Sequence, residues 1–331
     1  MVRRRCFNNK SSKNLNDGKE GERKMKKLFK VLGSIALSLS LIACGSSEQS
    51  TNVKTGTEST FAYLLDTTDL VKPELDLSNA DGLLKNILDA GVLKVATSPD
   101  YPPAEFVDEE GVVHGSEMML AKYVADCLGV DLQIETMDFS GTLAAVDTGK
   151  VDIAFSGYGW KKDRAESYNL TIGYIGDEDD EVNHTLITTK ANEGKFKTLA
   201  DFKGLKIMAQ VTSLQEMYVQ DQIVALDDST IYEPVATLDQ AILGLASGKC
   251  DAVALDGSTA ENYVTQSQGE FALTGVDFDL TLYEDVQGNI GAIKKGEDSL
   301  LEVVNQIIQT VKANQYYSAW YAQAKEEAGI E

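Results

Sequence analysis

The chain has 331 residues, of which 52 are acidic and 30 basic, and a formal net charge of −22. Such an acidic chain repels phosphate groups, which argues against nucleic acid as a partner. Its only histidines are His114 and His184, and no Cys/His spacing is typical of zinc, so no metal, cofactor or histidine-based triad is predicted.

A short apolar segment near the N-terminus is typical of an export signal. It covers residues 28–42, follows Lys26 and Lys27, and precedes Ala43 and Cys44. Basic residues, a short apolar run and a small-residue cleavage site in this order mark a secretory signal. A transmembrane anchor is the alternative, but about fifteen residues fall short of the roughly twenty that span a bilayer.

The end of this segment, Leu41-Ile42-Ala43-Cys44, resembles the lipobox of bacterial lipoproteins. The resemblance implies cleavage before Cys44, acylation of its thiol, and a mature protein anchored by lipid outside the cytoplasmic membrane. Residues 1–43 are therefore expected to be leader and signal peptide. Because Met25 opens a typical signal peptide, we hypothesise that residues 1–24 belong to an over-extended gene start.

Residues 44–78 are predicted to form a lipid-anchored tether and an N-terminal extension. The first part, residues 45–60, is rich in Ser, Thr and Gly and lacks apolar periodicity, which is typical of a flexible linker. The folded part is expected to start near Asn79. The remaining chain is long enough for one large or two modest domains.

Strands and helices are predicted to alternate along the rest of the chain. The predicted strands are residues 92–97, 132–135, 153–156, 185–189, 205–209, 252–255 and 290–293. The predicted helices are one ended by Gly91, one capped by Ser116 and ended by Gly129, one over 142–148, one opened by Thr237, and a long final helix from Leu300 to Trp320. This alternation predicts an α/β fold with mainly parallel strand pairing.

One stretch of the sequence recurs. Residues 143–157 and 243–257 both read as a helix, a Gly-Lys-x-Asp turn, an apolar strand and a glycine. A chance match is the alternative to two similar lobes. Since ligands bind beyond the carboxyl ends of strands in such sheets, the residues from Gly157 and from Asp256 would face each other across a cleft.

Cys127 and Cys250 are the only cysteines beyond the predicted lipidation site. Cys127 falls in an apolar helix pattern and Cys250 just before an apolar strand. Two buried thiols are favoured over the alternative of a disulfide.

Several motifs, in their order and spacing, resemble the polar amino-acid-binding proteins of ABC importers, which are family-3 solute-binding proteins. The resemblance runs from about Gly91 to the end of the chain. The motifs are Tyr101-Pro102-Pro103-Ala104-Glu105-Phe106, Gly115-Ser116-Glu117, Met137-Asp138-Phe139-Ser140-Gly141, Gly149-Lys150-Val151-Asp152 and Asp163-Arg164.

The resemblance implies a two-lobe, periplasmic-binding-protein-like fold of type II with the ligand in the cleft. Lobe 1 would comprise residues 79–186, lobe 2 residues 187–288, and residues 289–331 would return to lobe 1. The crossings are expected near residues 184–189 and 287–293. The implied function is capture of an amino acid by a monomeric, non-enzymatic lipoprotein, which delivers it to an ABC permease.

The resemblance also implies roles for individual residues. Arg164 would grip the α-carboxylate with its forked guanidinium, and Asp256 would receive the α-ammonium. Tyr101 and Phe139 would sandwich the ligand side chain, while backbone groups of Gly157 and Ser213 would complete its hydrogen bonds. The full expected set is Tyr101, Phe139, Gly157, Gly159, Arg164, Gln210, Ser213 and Asp256.

Each of these residues has a structural alternative. Arg164 could belong to a solvated charge run, because Lys161, Lys162 and Asp163 precede it. Asp256 could be a helix cap before Gly257. The two aromatic residues could be ordinary core or rim side chains.

Four positions depart from the family pattern. Ala104 stands where Phe is usual, Gly159 where a hydroxyl residue is usual, and Thr212 where Gly is usual. Ser98 replaces an acid that several members use to read a basic side chain, which argues mildly against lysine or arginine as the ligand.

Two other functions remain open on the sequence. A secreted enzyme on the same scaffold, such as a dehydratase, would need an acid or base over the substrate, for which Glu105 and His114 are the candidates. A surface amino-acid sensor or adhesin could use the same lobes without transport.

Overall fold

The computed structural model describes residues 65–108, 110–175, 183–283 and 289–330. The predicted signal peptide, the lipidation site Cys44 and most of the tether lie outside the described residues, and what the sequence predicts for them stays a prediction. Within the described ranges, no helix combines the length and the apolar character needed to span a membrane.

Nine α-helices and twelve β-strands are formed by the described residues. The helices are α1 (Gly82–Ala90), α2 (Ser116–Leu128), α3 (Phe139–Asp147), α4 (Lys162–Ser167), α5 (Leu214–Gln222), α6 (Leu238–Ala246), α7 (Gly257–Gln266), α8 (Asp298–Ala313) and α9 (Tyr316–Glu327). The strands are β1 (Val92–Thr97), β2 (Phe106–Val107), β3 (Val113–His114), β4 (Asp131–Thr136), β5 (Ile153–Tyr158), β6 (Tyr168–Leu170), β7 (His184–Thr189), β8 (Lys206–Gln210), β9 (Ile231–Val235), β10 (Ala252–Asp256), β11 (Phe271–Asp277) and β12 (Ile290–Lys294).

Two five-stranded sheets divide the described chain into two lobes. The first sheet has the order β4-β1-β5-β12-β6 and belongs to residues 65–175 and 289–330, whereas the second has the order β11-β7-β10-β8-β9 and belongs to residues 183–283. The predicted two-lobe α/β fold is thereby confirmed. All of β7 lies in the second sheet, whereas the predicted boundary between residues 186 and 187 would divide this strand between the lobes.

The expectation of mainly parallel pairing is wrong. Strands β4, β1 and β5 are parallel to one another, as are β9, β8 and β10. However, β12 is antiparallel to β5 and β6, and β7 is antiparallel to β10 and β11. The starts of β7 and β12 lie beside the ends of their neighbours, since His184 pairs with Asp256 and Ile290 pairs with Tyr158, so these two strands run in the opposite direction to the parallel ones.

The internal repeat is a structural one. In both copies a glycine with left-handed backbone follows the helix, Gly149 with φ 70° and Gly248 with φ 72°. The Asp152 carboxylate accepts a hydrogen bond from the Lys94 N–H at 2.7 Å, and the Asp251 carboxylate accepts one from the Lys206 N–H at 2.8 Å. Each aspartate thus fastens a central strand of its lobe to its parallel neighbour, so the two lobes are built on the same plan.

Some predicted helix ends differ from the observed ones. Gly115 rather than Ser116 is the N-cap of α2, and Ser116 Oγ instead donates to the Tyr317 hydroxyl. The predicted 142–148 helix begins at Phe139, because Asp138 caps it by accepting from the Gly141 N–H at 2.8 Å. Thr237 caps α6 as predicted.

The expected single final helix is divided into α8 and α9. Gln315 lies between them with φ 55°, a left-handed conformation that does not continue an α-helix. The change of direction brings Trp320 onto Tyr123 of α2, with ring centroids 5.6 Å apart. The aromatic residues of α9 therefore close the core of the first lobe.

The N-terminal extension packs on this same lobe. Four leucines of residues 65–77 lie against its core, and the Val71 N–H donates to the Tyr316 hydroxyl at 2.9 Å. Among the described residues, Cys127 and Cys250 are both free thiols, Cys127 half-buried and Cys250 buried.

Candidate functional site

A cavity of about 260 Å³ lies between the lobes, where the parallel strands of both sheets end. It is lined by every residue that the sequence predicts for the ligand-binding site: Tyr101, Phe139, Gly157, Gly159, Arg164, Gln210, Ser213 and Asp256. Ten further residues line it that the sequence did not predict as ligand-binding: Asp100, Glu105, Ser156, His184, Leu214, Gln215, Leu238, Leu255, Leu280 and Asn289.

Arg164 is buried in the wall of the cavity, with 4% of its surface exposed, and so it is not part of a solvated charge run. The guanidinium stands 5.0 Å from the centre of the Tyr158 ring. It donates to the Gly159 carbonyl of the first lobe and, at 2.9 Å, to the Thr212 carbonyl of the second. Burial lowers the pKa of Arg164, but a guanidinium stays charged at neutral pH. The cavity therefore holds a fixed positive charge that joins the two lobes.

Asp256 supplies the opposite charge. As the N-cap of α7, its Oδ1 accepts from the Thr259 N–H at 3.1 Å and from Ser258 Oγ at 2.7 Å. Its Oδ2 is buried and makes no hydrogen bond of ordinary geometry in the described structure, although the carboxylate is close enough to Tyr101 to raise the pKa of that hydroxyl. The helix-cap alternative is thus correct for one oxygen only. The other is an unsatisfied acceptor, which a ligand ammonium or N–H would satisfy.

The Tyr101 ring packs directly against Gly157. Gly157 has φ 62°, and a Cβ added to it would lie 2.8 Å from two carbons of the Tyr101 ring. Only glycine allows both this backbone and this close approach. Phe139 is 7% exposed and packs on Tyr158, with ring centroids 5.1 Å apart. The two aromatic residues predicted to sandwich a ligand side chain therefore both line the cavity and are held in place.

Gly159 faces the second lobe. A Cβ on this residue would overlap Leu214 Cδ1, at the start of α5. The hydroxyl residue usual at this position in the family would meet the same obstacle. The leucine of the opposite lobe thus occupies the space next to Gly159, which is a physical account of this departure from the pattern.

In the turn after β8, the side chains of Ser213 and Gln210 form hydrogen bonds within the protein. Ser213 Oγ caps α5 by accepting from the Glu216 N–H at 3.0 Å, and Gln210 Nε2 donates to the Ala236 carbonyl at 3.2 Å. Thr212 has φ 67°, although a β-branched residue fits poorly in the left-handed region. This conformation directs its carbonyl to Arg164 and Lys161.

Asp100 is an important residue that sequence reasoning missed. It follows the end of β1, and its carboxylate accepts from Leu238 N–H at 2.8 Å and from Gln210 Nε2 at 3.1 Å, both in the second lobe. Ser98 Oγ donates to it at 2.9 Å. Burial raises the pKa of Asp100 to about 6. Its position shortly after a central strand is the signal that could have identified it.

Two buried glutamates lie below Gly157. Glu117 accepts from the Gly157 N–H at 2.9 Å, the Tyr174 hydroxyl at 2.6 Å and Asn289 Nδ2 at 3.0 Å. Glu105 is fully buried, and its carboxyl group lies beside the side chains of Glu117 and Ser156. Burial, reinforced by the charge of Glu117, raises the pKa of Glu105 well above its usual range. Burial also raises the pKa of Glu117, but the hydrogen bonds that Glu117 accepts oppose this, so the protonated form is favoured more at Glu105 than at Glu117.

His184, which the sequence did not place in the site, lies beside Asp256 on the neighbouring antiparallel strand. Its Nδ1 is 2.9 Å from Gln215 Nε2, which donates to it. Burial lowers the pKa of His184, so the imidazole is neutral at neutral pH. It contributes a polar ring to the cavity without adding charge.

Glu105 and His114, the two residues that the sequence offers as acid or base of an enzyme, do not lie together. Glu105 lines the cavity, but His114 lies on β3, where its Nε2 is 2.8 Å from Asp108 Oδ2 and its ring stacks on Phe106. Within the described residues, His, Cys, Asp and Glu form no group suited to a metal ion.

Comparisons with known proteins agree with this architecture. The L-cystine-binding protein TcyJ of Escherichia coli is 27% identical over 228 residues, which are 69% of this chain and 80% of that protein. The cyclohexadienyl dehydratase of Pseudomonas aeruginosa is 27% identical over 167 residues, 48% of this chain and 60% of that enzyme. An amino acid ABC transporter substrate-binding protein from Streptococcus pneumoniae, solved bound to L-arginine, is 30% identical with a TM-score of 0.66, covering 76% of this chain and 99% of that one.

The model of the family described as bacterial extracellular solute-binding proteins, family 3, matches residues 93–325. This range includes both sheets from the second residue of β1 onward and every residue that lines the cleft cavity. The chain therefore belongs to the family-3 bacterial extracellular solute-binding proteins.

Proposed function

We propose that this protein binds an amino acid in the cleft cavity and delivers it to the permease of an ABC importer. The observation that supports the proposal best is the pair of opposite charges in one cavity, the Arg164 guanidinium and the unpartnered Asp256 Oδ2. A zwitterion places a carboxylate and an ammonium a few ångströms apart. Buried charges of this kind require such partners, because unpaired burial is costly.

The other residues predicted for the site would also contact the ligand. Tyr101 and Phe139 would hold the ligand side chain, and the backbone at Gly157, Gly159 and Ser213 would complete its hydrogen bonds. Asp100 places a carboxyl group on the cavity wall near Ser98. A basic ligand side chain would thus find an acid there, even though residue 98 itself is a serine.

Closure would be a hinge motion about the two crossings between the lobes. Contacts across the cleft already include Arg164 to Thr212 and Asp100 to Leu238. Ligand binding would favour the closed form by adding contacts to both lobes. The lipid anchor predicted at Cys44 would keep the monomeric protein next to the permease, outside the cytoplasmic membrane.

Calorimetric titration of the purified full chain against the standard amino acids tests this proposal. We expect saturable binding of one or a few of them, with at least about tenfold weaker binding for Arg164→Ala and Asp256→Ala. Glu302→Gln, an exposed change on α8, serves as the matched control. The absence of binding across the panel would overturn the proposal.

An enzyme is the second candidate function. The observation in its favour is Glu105, a buried acid in the cavity wall whose pKa is raised by burial, together with the relative that is named a dehydratase. Product analysis after incubation with each bound amino acid distinguishes the two functions, since a transport protein returns its ligand unchanged. Uptake of labelled amino acid by cells distinguishes a transport protein from a sensor or adhesin.

A further inference from the structure

A second cavity, of about 230 Å³, adjoins the cleft cavity and is almost as large. The two share Tyr101, Asp256 and Asn289 as a common wall. The other residues around the second cavity come from the turn after β1, the two ends of the lobe crossings, the start of α7 and one face of α9: Pro103, Ala104, Ile175, Asn183, Gly257, Ser258, Tyr317, Ser318 and Tyr321.

The space depends on a small residue. Ala104 is 1% exposed and lines the second cavity, so any longer side chain at this position would extend into it or displace its walls. The Asn183 side chain lies directly over Gly257, where a Cβ would collide with its Oδ1. Two small residues thus keep the second cavity open on the side that faces Asp256.

The polar groups of the second cavity are organised around Asp256. Tyr321, from α9, donates to Ser258 Oγ at 3.1 Å, and Ser258 donates to Asp256 Oδ1 at 2.7 Å. This chain satisfies Oδ1 from the side of the second cavity. It leaves Oδ2 as the buried acceptor without a partner, at the wall between the two cavities.

The charges differ between the two cavities. Arg164 lines the first cavity only. Among the residues described around the second cavity, Asp256 is the only one that carries a charge. A ligand carboxylate therefore belongs in the first cavity. The second cavity suits an uncharged or cationic group, for which the Tyr317 hydroxyl and the Asn183 amide oxygen are acceptors.

We propose that the two cavities together bind a dipeptide. The C-terminal residue would occupy the first cavity with its carboxylate at Arg164. The peptide N–H would face Asp256 Oδ2, and the N-terminal residue would extend past Tyr101 into the second cavity. A dipeptide extends from the α-nitrogen of its C-terminal residue, and this is the atom that Asp256 would bind. This inference rests on the proposed function: it keeps a carboxylate at Arg164 and the α-nitrogen at Asp256, and adds a second amino-acid residue to the ligand.

The test compares free amino acids with matched dipeptides on the purified full chain. The probes are L-alanine, L-histidine and L-arginine, and the corresponding glycyl dipeptides, titrated by calorimetry. We expect at least one glycyl dipeptide to bind about tenfold more tightly than its free amino acid, because it fills both cavities. We expect Ala104→Leu to remove this advantage and to leave binding of the free amino acid unchanged.

Ser318→Leu provides a second variant, should Ala104→Leu fail to fold. It enlarges a half-buried side chain on α9 at the other side of the second cavity, and the same loss of dipeptide preference is expected. Free amino acids that bind at least as tightly as every dipeptide would overturn the inference and leave the proposed function intact. A dipeptide preference that persists in the folded variants would overturn it too. Failure of all six probes and of the whole amino-acid panel would overturn both.

Discussion

The Asp100 carboxylate in the first lobe accepts a hydrogen bond from the Leu238 backbone N–H in the second lobe, at 2.8 Å. Leu238 is the first residue of α6, so an acid of one lobe contacts the N-terminal turn of a helix in the other. A helix N-terminus favours negative charge, whereas burial of the carboxylate opposes it. Burial is the stronger effect, as the raised pKa of Asp100 indicates.

This relationship predicts a pH dependence with a definite sign. The pKa of Asp100 is about 6 in the folded protein and lies above its value in an unfolded chain, so folding takes up a proton between these values. The free energy of unfolding should therefore rise as the pH falls from 7 to 5, by roughly 1–2 kcal/mol from this group. Urea denaturation at both pH values measures it. In Asp100→Asn this increment should disappear, whereas the exposed control Glu302→Gln should keep it.

Replacement of the same residue by alanine should weaken the contact between the two lobes. Asp100→Ala leaves the Leu238 N–H and the Gln210 amide without their acceptor, at a cost of about 1–3 kcal/mol. We expect a larger radius of gyration by small-angle scattering, because the lobes separate, while Asp100→Asn stays compact. Equal scattering curves for the two variants would show that Asp100 does not hold the lobes together.

Gly159 and Leu214 provide a test of lobe closure by steric means. Gly159→Ala introduces a Cβ that overlaps Leu214 when the lobes are in contact, so amino-acid affinity should fall by about tenfold while thermal stability changes little. The double variant with Leu214→Ala removes the obstacle and should recover most of the affinity. Calorimetry on the single and double variants measures both effects. A double variant no better than Gly159→Ala would contradict this account.

The protein should be more stable with glycine than with threonine at position 212. Its φ of 67° is unfavourable for a β-branched residue, and its Oγ1 is buried without a hydrogen-bond partner in the described structure. Thr212→Gly should raise the free energy of unfolding by about 1 kcal/mol, since glycine adopts this backbone freely. Urea denaturation measures the change. Ser213→Gly, which removes the cap of α5, should lower stability and serves as the contrasting control.

The two buried glutamates should respond differently to amide substitution. Burial favours the protonated form of Glu105, so Glu105→Gln should leave stability unchanged or raise it, and the fall in stability with rising pH should become less steep. Glu117→Gln replaces an acceptor of several hydrogen bonds by a group that also donates, at a cost of about 1–3 kcal/mol. Unfolding curves at pH 5 and pH 7 measure both variants. The reverse order of stability would disprove the assignment of the proton.

The sequence predicted the parts of the site that lie at strand ends. Gly157 and Asp256 follow apolar strands, and the internal repeat was enough to expect them across a cleft. Asp100 lies three residues beyond the end of β1 and could have been found by searching the turns that follow the central strands. Glu105 and Glu117 could not, because nothing in a local pattern indicates that an acid is buried.

The fold shows a similar division. The central strands are continuous apolar runs and were predicted within one or two residues. By contrast, α5 and α7 are largely polar, and α7 begins with Gly257, Ser258 and Thr259, which read as a turn until Asp256 is known to cap them. The place of β12 between β5 and β6 depends on pairing across more than a hundred residues, which local patterns do not contain.

The position of β12 has a consequence for synthesis. The described part of the second lobe is one continuous segment, residues 183–283, so every strand of its sheet is available once this segment has been made. The sheet of the first lobe is different, because within it β6 pairs only with β12, which arrives more than a hundred residues later. Contacts of such long sequence separation form slowly. The half of the protein that is made first is therefore completed last, and an export pause before residue 289 would leave it with an open sheet edge.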